Sequence, residues 1–402
     1  MRYEWRMSGF GDRTAPRPWQ RPVLRGGEGH RQVGWLELFF DLIFVVIVSV
    51  LAGDLAHHLS ADGVLRFVLL FLGVFWAWNA VTFYTERFES DGLDSRLFTF
   101  LAIVAVTGLA VWGEDGLGHD YLGFALSYAV LRALNIVLWL RAGHHNPPFR
   151  PAARAFMTGF AIAFALILVS FFVGDTLRMV LWGVAVVLDI STPALSERTQ
   201  RNLPQISRDK YPERFGLFTM IILGEVVASV IGGLVEVNSA GEFTLATGVN
   251  AVLGLAIGFG MWWVYYDFIA RRPFRPSFPV SLAWVYLHFF VFIGVVAVGV
   301  AVEVAMTETS GGMLSRPAQT VLLLGMSGTL AAVGAVELTL AREADEPTHP
   351  VISPVLKFGL AILLVPVVFV PALPVIVGLG VALFALIVPA SYGALVWYRP
   401  VR

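Results

Sequence analysis

Residues 35–59 read WLELFFDLIFVVIVSVLAGDLAHHL, an apolar run long enough to cross a lipid bilayer as one helix. Crossing a hydrocarbon core of about 30 Å takes roughly 20 helical residues at about 1.5 Å each. About eleven further stretches of this kind follow in the 402-residue chain, which is 57% hydrophobic and only 14% charged. The sequence therefore predicts an all-α, polytopic membrane bundle of about twelve transmembrane helices. We place the spans near 35–59, 64–85, 97–112, 120–141, 153–173, 177–194, 214–236, 246–268, 279–304, 318–341, 355–372 and 375–397.

Basic residues alternate between the predicted loops. The N-terminal tail carries seven Arg, the even-numbered loops with the C-terminus carry seventeen Lys and Arg, and the odd-numbered loops carry three. Lys and Arg accumulate in cytoplasmic loops during membrane insertion. We therefore expect both termini to be cytoplasmic.

Residues 1–34 are rich in Arg, Gly and Pro and lack the apolar segment of a signal peptide, so we predict a poorly ordered cytoplasmic tail. A basic linker at 195–213 separates a first six-helix half, 35–194, from a second, 214–402. The chain has no cysteine, which excludes disulfides, thiolate metal sites and thiol catalysis. Its net charge of −1 gives no indication of nucleic-acid binding.

The two halves show a patterned similarity. LFFDLIFVVIVSVLAGDL at 38–55 aligns with LFTMIILGEVVASVIGGL at 217–234. The spans that follow each carry a glycine ahead of a tryptophan cluster, which comprises Gly73, Trp76 and Trp78 in one half and Gly258, Trp262 and Trp263 in the other. We interpret this as a duplication whose two copies have the same orientation in the membrane. Chance similarity between apolar helices is the alternative.

Ionisable side chains at membrane depth indicate where chemistry would occur, because each is costly in hydrocarbon and usually faces protein or water. Glu37 and Asp41 are four residues apart and share one face of the first predicted helix. Glu225 follows Arg214 by eleven residues, about 16 Å along the axis, and is the deepest acid. Asp189 lies nearer the cytoplasmic end of its span.

Arg132 and His288 are the basic candidates at similar depth. Arg132 shares a helix face with Tyr128 and Asn135, and a buried guanidinium needs a carboxylate. Four acids facing one Arg and one His leave at least one acid without a permanent cationic partner, which favours its protonated form. This composition is typical of a proton-linked site. The alternative is that these groups only join helices through hydrogen bonds.

Other constellations are weaker. Asp54, His57 and His58 could ligate a metal, but such residues at a helix end are more often solvated, so we expect no metal and no cofactor. Neither a GxxxxGK[ST] loop nor a hydrolytic triad pattern is present, and we expect no enzymatic activity. Gly254 and Gly258 form a GxxxG pair that would permit close helix packing.

Two stretches, WLELFFDLIFVV at 35–46 and ERFGLFTMIILGEVVASV at 213–230, resemble the signature regions of LtrA-type proteins, the bacterial low temperature requirement A family. The resemblance extends from about residue 31 to 398 and includes the segments at 132–135 and 286–300. It implies a multi-spanning protein of the bacterial inner membrane, named for a cold-growth requirement. The sequence VVAS at 226–229 and the long Arg-rich tail depart from the family pattern. The resemblance marks as signature positions Glu37, Phe40, Asp41, Glu213, Arg214, Phe215, Gly216, Gly224 and Glu225.

Taken together, these patterns predict a central cavity lined by the first and seventh spans. We expect a secondary transporter or proton-linked permease, embedded in lipid, for an unidentified small solute or ion. Glu225 and Asp41 would exchange protons, while Arg132 would compensate charge or bind an anionic group. Two alternatives stay open: a membrane scaffold or envelope-adaptation factor, and an intramembrane acid/base enzyme acting on a lipid-like substrate. The sequence leaves the oligomeric state undetermined.

Overall fold

The computed structural model describes residues 19–24, 33–89, 92–200, 207–208, 210–307, 312–342 and 346–397. These residues form thirteen α-helices and one pair of two-residue strands, β1 (Val23–Leu24) and β2 (Phe88–Glu89). A 3-10 turn precedes the fifth helix, and a π-helical turn, Tyr266–Ala270, follows the ninth. The helices are α1 (Trp35–His57), α2 (Ala61–Arg87), α3 (Leu93–Val111), α4 (Tyr121–His145), α5 (Arg150–Ser170), α6 (Asp175–Leu195), α7 (Glu197–Gln200), α8 (Lys210–Ser239), α9 (Leu245–Tyr265), α10 (Phe278–Thr307), α11 (Arg316–Glu337), α12 (Ile352–Val367) and α13 (Val375–Trp397).

Eleven helices of the described chain are long and apolar enough to cross a membrane, and α12 is a shorter apolar helix of 16 residues. The predicted all-α membrane bundle is thereby confirmed. The predicted span at 355–372 is longer than α12, which ends one residue after Pro366. Proline has no amide hydrogen to continue a helical ladder, and Pro371 and Pro374 follow closely.

Local sequence sets several helix starts. Ser60 accepts a hydrogen bond from the amide of Gly63 at the start of α2, and Thr244 caps α9 in the same way. Ser315 caps α11. Each hydroxyl satisfies an amide that has no partner within its helix.

The outward faces of the bundle are apolar. Val104, Ile231, Leu255 and Phe384 are each more than 40% exposed. Exposed side chains of this kind are unfavourable in water but suit the hydrocarbon of a bilayer. The structure thus agrees with membrane embedding.

The helix α10 lies at the centre of the bundle, where it packs against α8, α9, α11 and α1. Close packing here depends on glycine, because a Cβ atom on Gly294 would lie 3.1 Å from the carbonyl oxygen of Gly325 in α11. At the predicted GxxxG pair, a Cβ on Gly254 would lie 2.6 Å from Val302 Cγ1 of α10. These glycines let neighbouring helices approach.

We call the end of the bundle that holds the N-termini of α1 and α8 and the C-termini of α2 and α4 the basic end. Here β1 pairs antiparallel with β2, and the Arg141 guanidinium of α4 donates to the carbonyl oxygen of Gln20 at 3.0 Å. Residues 19–24, within the tail predicted to be poorly ordered, therefore contact the bundle. Residues 1–18 and 25–32 of that tail lie outside the described residues, as do 201–206 and 209 of the predicted linker.

Candidate functional site

A cavity of about 370 Å³ enters the bundle at the basic end. Its walls come from α1, α2, α3, α4 and the start of α8, and Pro22 of the N-terminal segment lies at its rim. Along α4 the lining runs from Arg141 to Leu131, which is about 15 Å of helix. This length is about half of a hydrocarbon core of about 30 Å.

Ion pairs line this cavity. Lys210 Nζ lies 2.7 Å from a carboxylate oxygen of Glu37, and Arg141 Nη2 lies 2.7 Å from Asp94 Oδ2. Each pair joins two helices, α8 with α1 and α4 with α3. The cavity is thus polar at its entrance and shaped by charges held in fixed positions.

The buried pair of Asp41 and Arg214 supports the inner wall. Arg214 Nε donates to Asp41 Oδ2 at 3.0 Å and Nη2 donates to Oδ1 at 2.5 Å. Trp78 Nε1 donates to the same carboxylate at 2.8 Å, and Thr85 accepts a hydrogen bond from Arg214 Nη1 at 2.7 Å. Both charged side chains are only 1% exposed. This network fastens α1, α2 and α8 together.

A layer of aromatic rings lies deeper than this pair. Phe44 follows Asp41 along α1, and Phe218 follows Arg214 along α8; their ring centroids are 6.2 Å apart. Trp78 stacks on Phe218 at 4.1 Å. All three rings are at most 1% exposed. We call Phe44, Trp78 and Phe218 the aromatic layer, which lies along α1 and α8 between the Asp41–Arg214 pair and the residues deeper in the bundle.

Glu225 lies beyond the aromatic layer. Ser49 Oγ of α1 donates a hydrogen bond to Glu225 Oε2. The residue is 7% exposed, and no Lys, Arg or His of the described chain forms an ion pair with it. Asp41 and Glu225 therefore differ sharply: one is held by a guanidinium and the other by a hydroxyl.

The structure brings Arg132 and Asp189 together, away from the cavity. Arg132 Nε lies 3.5 Å from Asp189 Oδ2, which also accepts a hydrogen bond from Tyr128 at 2.7 Å. The guanidinium carbon is 4.7 Å from the Tyr128 ring centroid and 5.5 Å from that of Phe160. The ion pair joins α4 and α6, with α5 covering it. Asn135, one turn further along α4, lines the cavity instead.

His288 is separate from all four predicted acids. Its Nε2 lies 3.1 Å from the Tyr265 hydroxyl, and its Nδ1 lies 2.7 Å from the carbonyl oxygen of Trp284. The ring is fully buried, with Phe215 at 5.0 Å. Both ring nitrogens have partners, which makes His288 a packing element of α8, α9 and α10.

Phe40, Phe215 and Gly216 among the other signature positions make packing or hydrogen-bond contacts, whereas Glu213 and Gly224 do not pack closely. Phe215 packs against Trp284 at 4.6 Å, and the Gly216 carbonyl oxygen accepts a hydrogen bond from Tyr266. Phe40 is 5.2 Å from Phe44 and lines the cavity. Glu213 is exposed, and a Cβ atom on Gly224 would meet no atom within 4 Å.

Several residues of the site were not predicted as candidates. Lys210, Asp94 and Arg141 lie near predicted span ends, where charge is ordinary and carries no signal. Glu303 also lies at the end of a predicted span, yet the structure places its carboxylate against α8, 3.4 Å from where a Cβ on Gly232 would lie. Within the group of Asp54, His57 and His58 at the end of α1, Asp54 Oδ1 lies 2.9 Å from His58 Nδ1.

One comparison with known proteins identifies a family. The family model described as bacterial low temperature requirement A protein (LtrA) matches residues 32–389. The chain is also similar to an uncharacterized protein, RA0937, of Rhizobium meliloti (strain 1021), with 27% identity over 242 residues. That match covers 57% of this chain and 57% of the relative, so the chain spans little more than half of the relative's length. No solved structure matches the chain.

Proposed function

We propose that this chain, which belongs to the bacterial low temperature requirement A family, is a proton-linked secondary transporter of a small solute. The observation that carries the proposal is a cavity with ion pairs at its entrance at one end of the bundle, together with the aromatic layer that lies along α1 and α8 between the Asp41–Arg214 pair and Glu225. A carrier needs a site that opens to one side at a time, with a barrier toward the other side.

Charge placement supports this proposal. Arg214 lines the cavity and pairs with Asp41 next to the aromatic layer, and Glu225 lies beyond this layer without a cationic partner in the described chain. A carboxylic acid at membrane depth that lacks a cationic partner can take up and release a proton with the solvent it faces. In this proposal Glu225 is the proton-exchanging group, and Asp41 exchanges a proton only when Arg214 moves away.

The internal repeat fits the same proposal and stays a prediction. In the first half, α1 contacts α2 and α3, and in the second, α8 contacts α9 and α10. Successive contacts of α3 with α4 and of α4 with α5 have counterparts in α10 with α11 and α11 with α12. Carriers built from two copies place their site at the interface of the copies, where α1 and α8 meet here. The positive charge of the basic end supports a cytoplasmic position for both termini.

The first test is proton movement into proteoliposomes that contain the purified protein and an internal pH dye, measured across a panel of solutes. We expect solute-dependent flux in the wild type and its loss in Glu225→Gln, with unchanged melting temperature. Glu242→Gln, an exposed change outside the bundle, is the matched control. Flux that survives in Glu225→Gln would contradict the assignment of Glu225.

Because the sequence contains no cysteine, a second test can introduce single cysteines without first removing native ones. Thr99→Cys places a thiol on the cavity wall, and Ser49→Cys places one beyond the aromatic layer. A charged maleimide added at the basic end should label the first and not the second. Ala163→Cys, fully buried in α5, gives the unreactive baseline. Equal labelling of all three positions would contradict a one-sided cavity.

The membrane scaffold is the second candidate, and the Arg132–Asp189 pair is the observation that favours it. This pair joins helices without facing the cavity, as a purely structural group would. A well-folded protein that is silent across a broad solute panel, with Thr99→Cys unreactive from both sides, would favour the scaffold.

A further inference from the structure

A row of polar groups continues along α8 from Glu225 toward the end of the bundle opposite the basic end. Glu225, Ser229 and Glu236 follow at spacings of four and seven residues, which places them along one side of the helix. Glu303 of α10 reaches this row at the level of Gly232, where a Cβ atom would lie 3.4 Å from its Oε1. Two carboxylates thus flank Ser229 within about 11 Å of helix.

Ser229 is the polar side chain that lies between the two acids of this row. The residue is 3% exposed, and its buried hydroxyl oxygen makes no hydrogen bond of normal geometry, but the Glu303 carboxylate lies close enough to interact with it. It lies beside the Glu303 carboxylate, on the side of α8 that carries Glu225.

The surrounding charges leave the acids without a fixed counter-ion. From α1 the facing groups are Ser49, which donates to Glu225, and His57, whose side chain is exposed. From α8 the remaining acid is Glu236, also exposed. Neither Glu225 nor Glu303 forms an ion pair with another described residue.

We propose that Glu225, Ser229 and Glu303 form a proton relay that connects Glu225 with the end of the bundle opposite the cavity. The inference rests on the proposed function, because it gives protons their route to the exchanging acid. In each step an O–H bond breaks on the donor, which is a carboxylic acid or the Ser229 hydroxyl, and a new O–H bond forms on the next acceptor. The Ser229 hydroxyl accepts one proton and gives up its own, so the serine is unchanged afterwards. The spacing along α8 requires one ordered water or a side-chain rotation per step.

The relay can be tested without knowing the solute. Infrared difference spectra of the full-length protein in liposomes report the C=O stretch of protonated carboxyl groups after a pH step. We expect a band in the wild type and in the control Glu242→Gln. Glu225→Gln and Glu303→Gln should each lose part of this band. The double variant should lose the whole part of the band that comes from these two carboxyl groups. Matching melting temperatures establish that each variant is folded.

Ser229→Ala separates a relay from two independent acids. It keeps both carboxyl groups but should slow protonation of Glu225 after a pH jump, whereas Ser327→Ala, a change outside the row, should not. A band that is the same in wild type and double variant would overturn the proposal, as would unaltered kinetics in both Glu303→Gln and Ser229→Ala. Replacement of the band on adding Na⁺ at constant pH would also overturn it, in favour of a metal-ion site. A band with the expected losses but no solute-coupled flux would refute the transporter and leave the relay intact.

Discussion

The buried pair of Asp41 and Arg214 gives the sharpest stability prediction. Asp41→Asn keeps the shape of the side chain but removes the charge that faces Arg214 Nε at 3.0 Å. The guanidinium, which is only 1% exposed, then loses the carboxylate that pairs with it directly. Removing one partner of a buried ion pair typically costs about 3–5 kcal/mol. We therefore expect the free energy of unfolding to fall by about 3–5 kcal/mol.

The chain offers a matched control for this change. Asp62 and Arg66 on α2 have nearly the same Nε–Oδ2 distance, 2.9 Å, but their side chains are 72% and 47% exposed. Because water already solvates both charges, Asp62→Asn should cost about 0–1 kcal/mol. The difference between the stability losses of the two Asp→Asn variants therefore measures the effect of burial, because the hydrogen-bond distances are nearly the same.

Unfolding by SDS in mixed micelles, followed by tryptophan fluorescence, measures both variants. The double variant Asp41→Asn with Arg214→Gln should lose less stability than the sum of its two single changes, since no uncompensated charge remains. The reasoning is refuted if Asp41→Asn costs no more than Asp62→Asn. It is also refuted if the two single losses at the buried pair simply add.

Three further changes have defined outcomes. Gly254→Ala should destabilise the protein by about 1–3 kcal/mol in the same SDS assay, because its Cβ would lie 2.6 Å from Val302. In the control Gly183→Ala the new Cβ meets no atom within 4 Å, so the stability should change by no more than about 0.5 kcal/mol. Equal losses in the two variants would contradict the packing argument. Arg141→Gln should increase amide hydrogen exchange in residues 19–24, which it holds through Gln20; unchanged exchange would show that the segment is held elsewhere. Ser60→Ala should cost about 1 kcal/mol through loss of the α2 cap, and no measurable loss would discount the cap.

The helical spans could be predicted from the sequence because each helix must be long and apolar enough to cross the bilayer, whatever its neighbours are. The exception, α12, shows the limit of that argument. Its apolar composition continues to residue 370, but the helix ends at Val367, since backbone hydrogen bonding and not hydropathy determines where a helix ends.

The site was predictable only in part because ion pairing depends on helix rotation and on which helices are neighbours. A buried Arg132 needed an acid, yet four acids were available, and only packing of α4 against α6 by way of α5 selects Asp189. Glu37 and Asp41 were expected to share a helix face, but the sequence did not show that each acid has its own cationic partner. Lys210 pairs with Glu37, and Arg214 pairs with Asp41. Neither basic residue carried any signal of pairing, since both lie in a loop-proximal stretch rich in charge.

The aromatic layer also bears on how the protein would respond to membrane voltage. Water in the cavity would carry the potential of one aqueous side into the bundle, so most of the voltage would drop across Phe44, Trp78 and Phe218 and the stretch beyond them. Moving one elementary charge through the full potential is worth about 2.3 kcal/mol per 100 mV. A single proton crossing that stretch would therefore feel most of this energy. The position of these three rings would make proton exchange depend on the membrane voltage without a dedicated voltage-sensing helix.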